Sequence, residues 1–253
     1  MARVLFRGGT LVDGTGTPQR CGDLLISGET IAEIDSFEAP ADAQVIDCRG
    51  LAVAPGFIDS HSHSDLQVLE NRREKVAQGV TAEVVGNCGF SPYPVPGNLK
   101  LLHDFANGIF CGTEDWGWPS AKAYLDRAEK SPATSVFSLA GHGSLRIACV
   151  GNRVGPLSER EIDWMEQKLA ELLEEGACGF STGLMYAPGS GATLEELERL
   201  CHVVARHGKT YATHMRDYGD HLEEAVDEQL ELARHRLQAA DFAPAGRWSP
   251  QLG

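Results

Sequence analysis

The chain is short of positive charge. Against 36 Asp and Glu it has 22 Lys and Arg in 253 residues, a formal net charge of −14. A nucleic-acid footprint needs a basic face, so the sign of this excess argues against nucleic-acid partners. Adhesion to an anionic membrane surface is disfavoured for the same reason. No run of about 18 apolar residues occurs, so no transmembrane helix is expected, and the apolar stretch near Met1 is far too short for a signal peptide. The seven cysteines are odd in number and include no Cys-x-x-Cys pair. A disulfide framework, a zinc ribbon and a thioredoxin-type motif are thereby set aside, and a cytoplasmic protein with reduced thiols is expected. A Walker loop, a Gly-x-Gly-x-x-Gly turn and a Ser-His-Asp order are missing too. What is present, 42% hydrophobic and 23% charged residues, suits a globular protein with a substantial core.

The first fifty residues read as short strands between Gly-rich turns: Arg3-Val-Leu-Phe-Arg, Gly9-Thr-Leu-Val, Asp23-Leu-Leu-Ile and Thr30-Ile-Ala-Glu-Ile. Four such strands need a partner sheet to cover them. From residue 51 the rhythm changes to strand followed by helix. Strands are expected at Leu51–Asp59, Val80–Asn87, Thr134–Ala140, Ala177–Ser181 and Thr210–His214. Ser158-Glu-Arg-Glu161 is a capping-box pattern opening a helix with Ile162, Met165, Leu169 and Leu172 on one face. Thr193-Leu-Glu-Glu196 repeats it before Leu197, Leu200, Cys201 and Val204. A third helix after Asp220 carries Leu222, Val226, Leu230 and Ala233 as its apolar face. Strand and helix in alternation predict parallel β/α units with right-handed crossovers. After Gln238 neither period continues, and five such strands cannot close a barrel of eight. Either the sheet stays open or the chain is incomplete.

The most informative stretch is Pro55-Gly-Phe-Ile-Asp-Ser-His61-Ser-His63-Ser-Asp65. Residues two apart on an extended strand share a face, so His61 and His63 can converge on one metal ion. Imidazole suits zinc and similar divalent ions. The position, at the C-terminal end of an apolar strand, is where barrel enzymes carry their active sites.

This stretch resembles the first-strand metal motif of the amidohydrolase superfamily, and Gly8-Gly-Thr-Leu-Val-Asp-Gly with Val45-Ile-Asp-Cys-Arg-Gly resembles the small β-sandwich that flanks its barrel. Gln78-Gly-Val-Thr81, Gly86-Asn-Cys-Gly89, Gly141-His-Gly-Ser-Leu-Arg146, Ser181-Thr-Gly-Leu-Met-Tyr-Ala-Pro-Gly189 and Thr213-His-Met-Arg216 are similar to the N-acyl-D-amino-acid deacylases (D-aminoacylases). The likeness runs from residue 1 to about Leu237. It implies an α/β fold with a partial (β/α)8 TIM-type barrel of strands 1 to 5 over residues 51–237, an N-terminal β-sandwich portion over 1–50, and a divergent tail over 238–253.

The resemblance also implies a ligand set. Cys88 stands where these deacylases place a cysteine in the role that a modified lysine fills in many amidohydrolases, and His214 matches the next ligand. With His61 and His63 they would hold Zn2+. Two roles stay open for His142, a contact in the substrate pocket and a loop-stabilising hydrogen bond. Tyr186 resembles a tyrosine that helps hold the substrate carboxylate, and an ordinary half-buried tyrosine is the alternative. The implied reaction is hydrolysis of a small N-acyl-D-amino acid, in which a metal ion polarises the acyl carbonyl and activates water while a carboxylate moves the proton. The family's sixth-strand His has Asp241 in its place, and the eighth-strand Asp has no counterpart. A truncated or frame-shifted form with impaired activity is the expectation, with self-association through open sheet edges. A cyclic amidase of the dihydroorotase or hydantoinase type, disfavoured by Cys88, and a non-catalytic metal-binding fragment are the alternatives.

Overall fold

A computed structural model of the chain describes residues 2–239 apart from Ser36, Thr113, Glu114 and Pro132, with side chains described as far as Arg234. Asp241 lies outside the described residues. The chain divides between Phe57 and Ile58 into two units.

The first unit is a single sheet. It contains β1 (Arg3–Leu11), β2 (Arg20–Ser27), β3 (Thr30–Asp35), β4 (Ala43–Asp47) and the two-residue β5 (Ala52–Val53), in the order β3-β2-β1-β4 with β5 also on β1. The two pieces expected at Arg3 and Gly9 form one strand. A bulge between Phe6 and Gly9 absorbs the Gly-Gly break by shifting the register against β2. No second sheet faces it among the described residues of this unit. Its open face, with Phe6, Leu24, Ile26, Ile34 and Ile46, lines an apolar groove of about 660 Å³.

The second unit is α/β. Its strands are β6 (Phe57–Asp59), β7 (Val80–Val85), β8 (Ser135–Gly141), β9 (Gly179–Gly183) and β10 (Thr210–His214). They lie in sequence order across one sheet, β10-β9-β8-β7-β6, and the three pairs from β7 to β10 are parallel. This is the half-barrel expected of five β/α strands, with β6 and β10 as its edges. The strand expected at Leu51–Asp59 is instead broken at Ala54-Pro55-Gly56 into β5 and β6, where Pro55 offers no amide hydrogen to a ladder.

The helices are α1 (Leu99–Phe105), α2 (Ala121–Ala128), α3 (His142–Val150), α4 (Glu159–Glu174), α5 (Leu194–Arg206) and α6 (Leu222–Ala239). Helix α4 starts on the expected capping box: Glu161 Oε2 accepts from Ser158 N at 2.7 Å. It buries Met165, Leu169 and Leu172 in one cluster with Val85, Ala140 and Phe180 of the sheet and with Leu200, Val203 and Val204 of α5. Removing one such leucine costs about 2–5 kcal/mol. On α5 only half of the expected box forms. Thr193 Oγ1 accepts from Glu196 N, but the Glu196 carboxylate is turned inward.

Helix α6 departs from the expectation. Leu222, Val226 and Leu230 are 39%, 36% and 46% exposed, while Ala225 and Leu232 are buried. Leu232 joins Leu184, Ala192 and Leu197, and polar pins set the rotation: Arg216 pairs with Glu228 at 2.8 Å and Tyr211 donates to Gln229 at 3.0 Å. Periodicity marks an apolar stripe. Which face docks is decided by the partners available.

Candidate metal centre

His61 and His63 lie just beyond the end of β6, and the two-residue alternation continues through them. The intervening Ser62 and Ser64 point the other way: their hydroxyls hydrogen-bond each other at 2.7 Å and accept from Lys75 Nζ at 3.0 and 3.3 Å. Lys75 also binds Asp59 at 2.6 Å and Glu83, whose side chain is almost wholly buried and bidentate to Arg72. A polar network therefore anchors one side of this segment and leaves the two imidazoles free on the other.

Cys88 is delivered by the turn after β7. Gly86 and Cys88 both have left-handed backbones, at φ 78° and 56°, a region that only Gly enters without cost. A Cβ on Gly86 would also lie 2.1 Å from the Leu139 carbonyl oxygen, so this position must be Gly. The turn is tied down at several points. Gly86 N donates to Asp65 Oδ1 at 2.7 Å, Gly89 N to Ser181 Oγ at 3.0 Å, and the Tyr186 hydroxyl to the Cys88 carbonyl at 2.9 Å.

The result is convergence. Ligand atoms of His61, His63 and Cys88 all lie within 4.8 Å of one another, with Cys88 Sγ 3.4 Å from His61 Nε2. His214, at the end of β10, stands against Tyr186 and Tyr218 with ring centroids 5.1 and 4.9 Å away. It lines the same cleft as His63, Cys88 and Tyr186 without joining the tight group of three. Burial, reinforced by His61 and His214, pushes the His63 pKa down; burial and then His61 do the same to His214. Burial pushes the Cys88 thiol up.

These donors fit a metal ion. His63 Nδ1 and His214 Nε2 are buried without a hydrogen-bond partner among the described residues, and buried polar nitrogens are ordinarily satisfied. Two imidazoles and a thiol within ligand reach of one another form a zinc-type donor set. A cation would supply the positive charge that a Cys88 thiolate requires.

The structure places His142 and Tyr186 differently with respect to the cleft. The His142 ring is fully buried, Nε2 lies 2.8 Å from Glu196 Oε1, and the residue is not among those lining the cleft. That contact links α3 to the first turn of α5. Tyr186 lines the cleft, but its only proton goes to the Cys88 carbonyl, so it positions the cysteine turn.

Three features were not anticipated. Asp65 is fully buried, and burial pushes its pKa up to about 8; through Gly86 it ties the histidine segment to the cysteine turn. The spacing His-x-His-x-Asp was its only signal. The Lys75–Glu83 network joins residues on neighbouring segments and the buried Arg146–Glu196 pair joins residues 50 positions apart; neither carries a motif.

Residues 44–243 match the family model described as the amidohydrolase family. The chain belongs to that family. Among its amidohydrolase relatives is the N-acyl-D-glutamate deacylase of Alcaligenes xylosoxydans xylosoxydans, 42% identical over 91% of this chain and 47% of that protein. The crystal structure of D-aminoacylase, described as defining a novel subset of amidohydrolases, superposes with a TM-score of 0.80 at 35% identity over 92% of this chain and 49% of that one. The N-acyl-D-glutamate deacylase of Bordetella bronchiseptica, solved with zinc and a phosphonate mimic of the tetrahedral intermediate, gives a TM-score of 0.79 at 38% identity, covering 91% and 48%. The chain thus spans about half the length of these relatives. No helix among the described residues is long and apolar enough to cross a membrane.

Proposed function

We propose that this chain carries the metal-binding half of a zinc-dependent N-acyl-D-amino-acid deacylase. The observation that carries the reading is the convergence of His61, His63 and Cys88 at one end of the sheet, with the unpartnered His214 on the same cleft. His61, His63, Cys88 and His214 would hold the ion, which when bound polarises an amide carbonyl and activates water for attack. Tyr186 fixes the cysteine turn, and Asp65 and Lys75 hold the histidine segment. The seven free cysteines suit a reducing cytoplasm. The apolar edges and faces left open favour self-association.

Amide cleavage also needs a group that moves the proton to the departing nitrogen, typically worth about 10²–10⁴-fold. No carboxylate lies among the described residues lining the cleft. These 253 residues alone should therefore hydrolyse N-acetyl-D-amino acids at or near background. Fusing the C-terminal half of the N-acyl-D-glutamate deacylase relative should give zinc-dependent turnover that is lost in His61→Ala. A fusion that binds zinc and stays inactive would overturn the deacylase reading. Zinc-dependent turnover by the chain alone would overturn the assignment of impaired activity.

A further inference from the structure

Beside the metal donors the cleft turns apolar. Phe90 follows Cys88 by two residues, and its ring centroid is 6.2 Å from that of His63. Phe105, at the end of α1, stacks on Phe90 at 4.4 Å, and Tyr186 leans on it at 5.2 Å. Ile109, Ala187 and, at the exposed rim, Asn107 complete a recess of about 330 Å³ that opens onto Cys88, His63 and His214. The stacking depends on Gly143, since a Cβ there would lie 2.3 Å from Phe105 Cζ.

No Lys, Arg, Asp or Glu lies among the described lining residues. Arg216, the nearest motif cation in sequence to His214, is spent on Glu228 and on the Ser190 and Ala192 carbonyls. A carboxylate on the apolar side of this recess would meet no cationic side chain among the described lining residues, and burying it there is costly. A hydrocarbon chain would not.

We infer that this recess, lined by Phe90, Phe105 and Ile109 beside the metal donors, takes the acyl chain of the substrate and selects for apolar acyl groups longer than acetyl. The inference rests on the deacylase reading and deepens it. Connectivity separates the acyl chain from the rest of an N-acyl amino acid. Its first carbon is one bond from the carbonyl carbon that the metal donors address. The amino acid's side chain and carboxylate each begin three bonds away, across the nitrogen. A recess that starts at the donors and presents Phe90, Phe105 and Ile109 beyond them matches the acyl side.

The test is calorimetric binding to the zinc-loaded chain of N-acetyl-, N-butyryl- and N-hexanoyl-D-alanine. Burial of each added methylene should tighten binding about fourfold, so butyryl should bind about fifteenfold tighter than acetyl. Phe105→Ala should flatten that dependence. Should Phe105→Ala fail to fold, Ile109→Trp, at a partly exposed loop position, should weaken hexanoyl binding more than acetyl binding. N-acetyl-D-alanine binding with no dependence on acyl length would overturn the subsite and leave the deacylase reading standing. Affinity that follows the amino-acid side chain instead of the acyl chain would also overturn it. No binding of any N-acyl-D-amino acid, with zinc bound, would overturn both.

Discussion

The second unit holds two histidine clusters with opposite design. In one, the His142 ring, Arg146 and Glu196 are fully buried and matched in charge: Arg146 is bidentate to Glu196 at 3.0 and 2.8 Å, and His142 meets the same carboxylate at 2.8 Å. In the other, His61, His63, Cys88 and His214 include no carboxylate, and His63, Cys88 and His214 line an open cleft; buried ring nitrogens without a partner among the described residues occur in both clusters, His142 Nδ1 in the first and His63 Nδ1 and His214 Nε2 in the second. The first cluster fastens α3 to α5, and Arg146 adds a bond to the Gly155 carbonyl. In the second, Cys88 Sγ lies 3.4 Å from His61 Nε2, a contact of donor with donor, and no acid pairs with the histidines among the described residues. Anchoring is delegated to Ser62, Ser64 and Asp65 next to the histidines and to Tyr186 across the cleft. A histidine satisfied by a buried acid supports the fold. Histidines held from behind and left open toward a thiol are free to bind something else.

The largest expected effect breaks the closed cluster. Glu196→Gln leaves Arg146 charged, buried and uncompensated, and should destabilise the chain by about 3–5 kcal/mol. Urea denaturation of the metal-free protein reads this directly. A loss below about 1 kcal/mol would mean that water reaches Arg146 and that the two clusters differ less than described.

Next comes the open cluster, where the expected loss is in binding. Cys88→Ala combined with His214→Ala should lower zinc affinity by at least about a hundredfold, since even the outer partners of metal ligands are worth about 10–100-fold. Elemental analysis after dialysis should show zinc in the parent and little in the double variant. In the parent, zinc at about a hundred times its dissociation constant should add ~2.7 kcal/mol to stability, and this increment should vanish in the variant. Equal zinc in both proteins would sink the ligand assignment.

The smallest effect tests the link between anchor and site. Tyr186→Phe removes one hydrogen bond to the Cys88 carbonyl and should cost about 0.5–1.5 kcal/mol. Zinc affinity should fall about tenfold or less, the lower end for a group that only orients a ligand. Paired denaturation and zinc titration check both. A collapse of zinc binding as large as in the double variant would make Tyr186 part of the cluster itself.

Read residue by residue, the site was unevenly legible in the sequence. His61 and His63 share a face through spacing alone, and the hydroxyls of Ser62 and Ser64 on the opposite side bear that out. Cys88 and His214 entered by family likeness, because a turn cysteine and a strand-end histidine have no local mark. His142 was ambiguous for a physical reason: its partner is Glu196, 54 residues away. The same carboxylate spoiled the second capping box, where a local pattern lost to a buried cation.

Short-range physics determined what the sequence could announce by itself. The β/α alternation, the Ser158 cap and the inward face of α4 each depend on residues within a few positions of one another. Tertiary structure alone decided the rest: the face on which α6 docks, the closed Arg146–Glu196–His142 cluster, and the apolar recess where Phe105 crosses Gly143 to reach Phe90. Each of these depends on which distant groups compete for the same burial or the same charge, and a linear pattern records the candidates without recording which partner they meet.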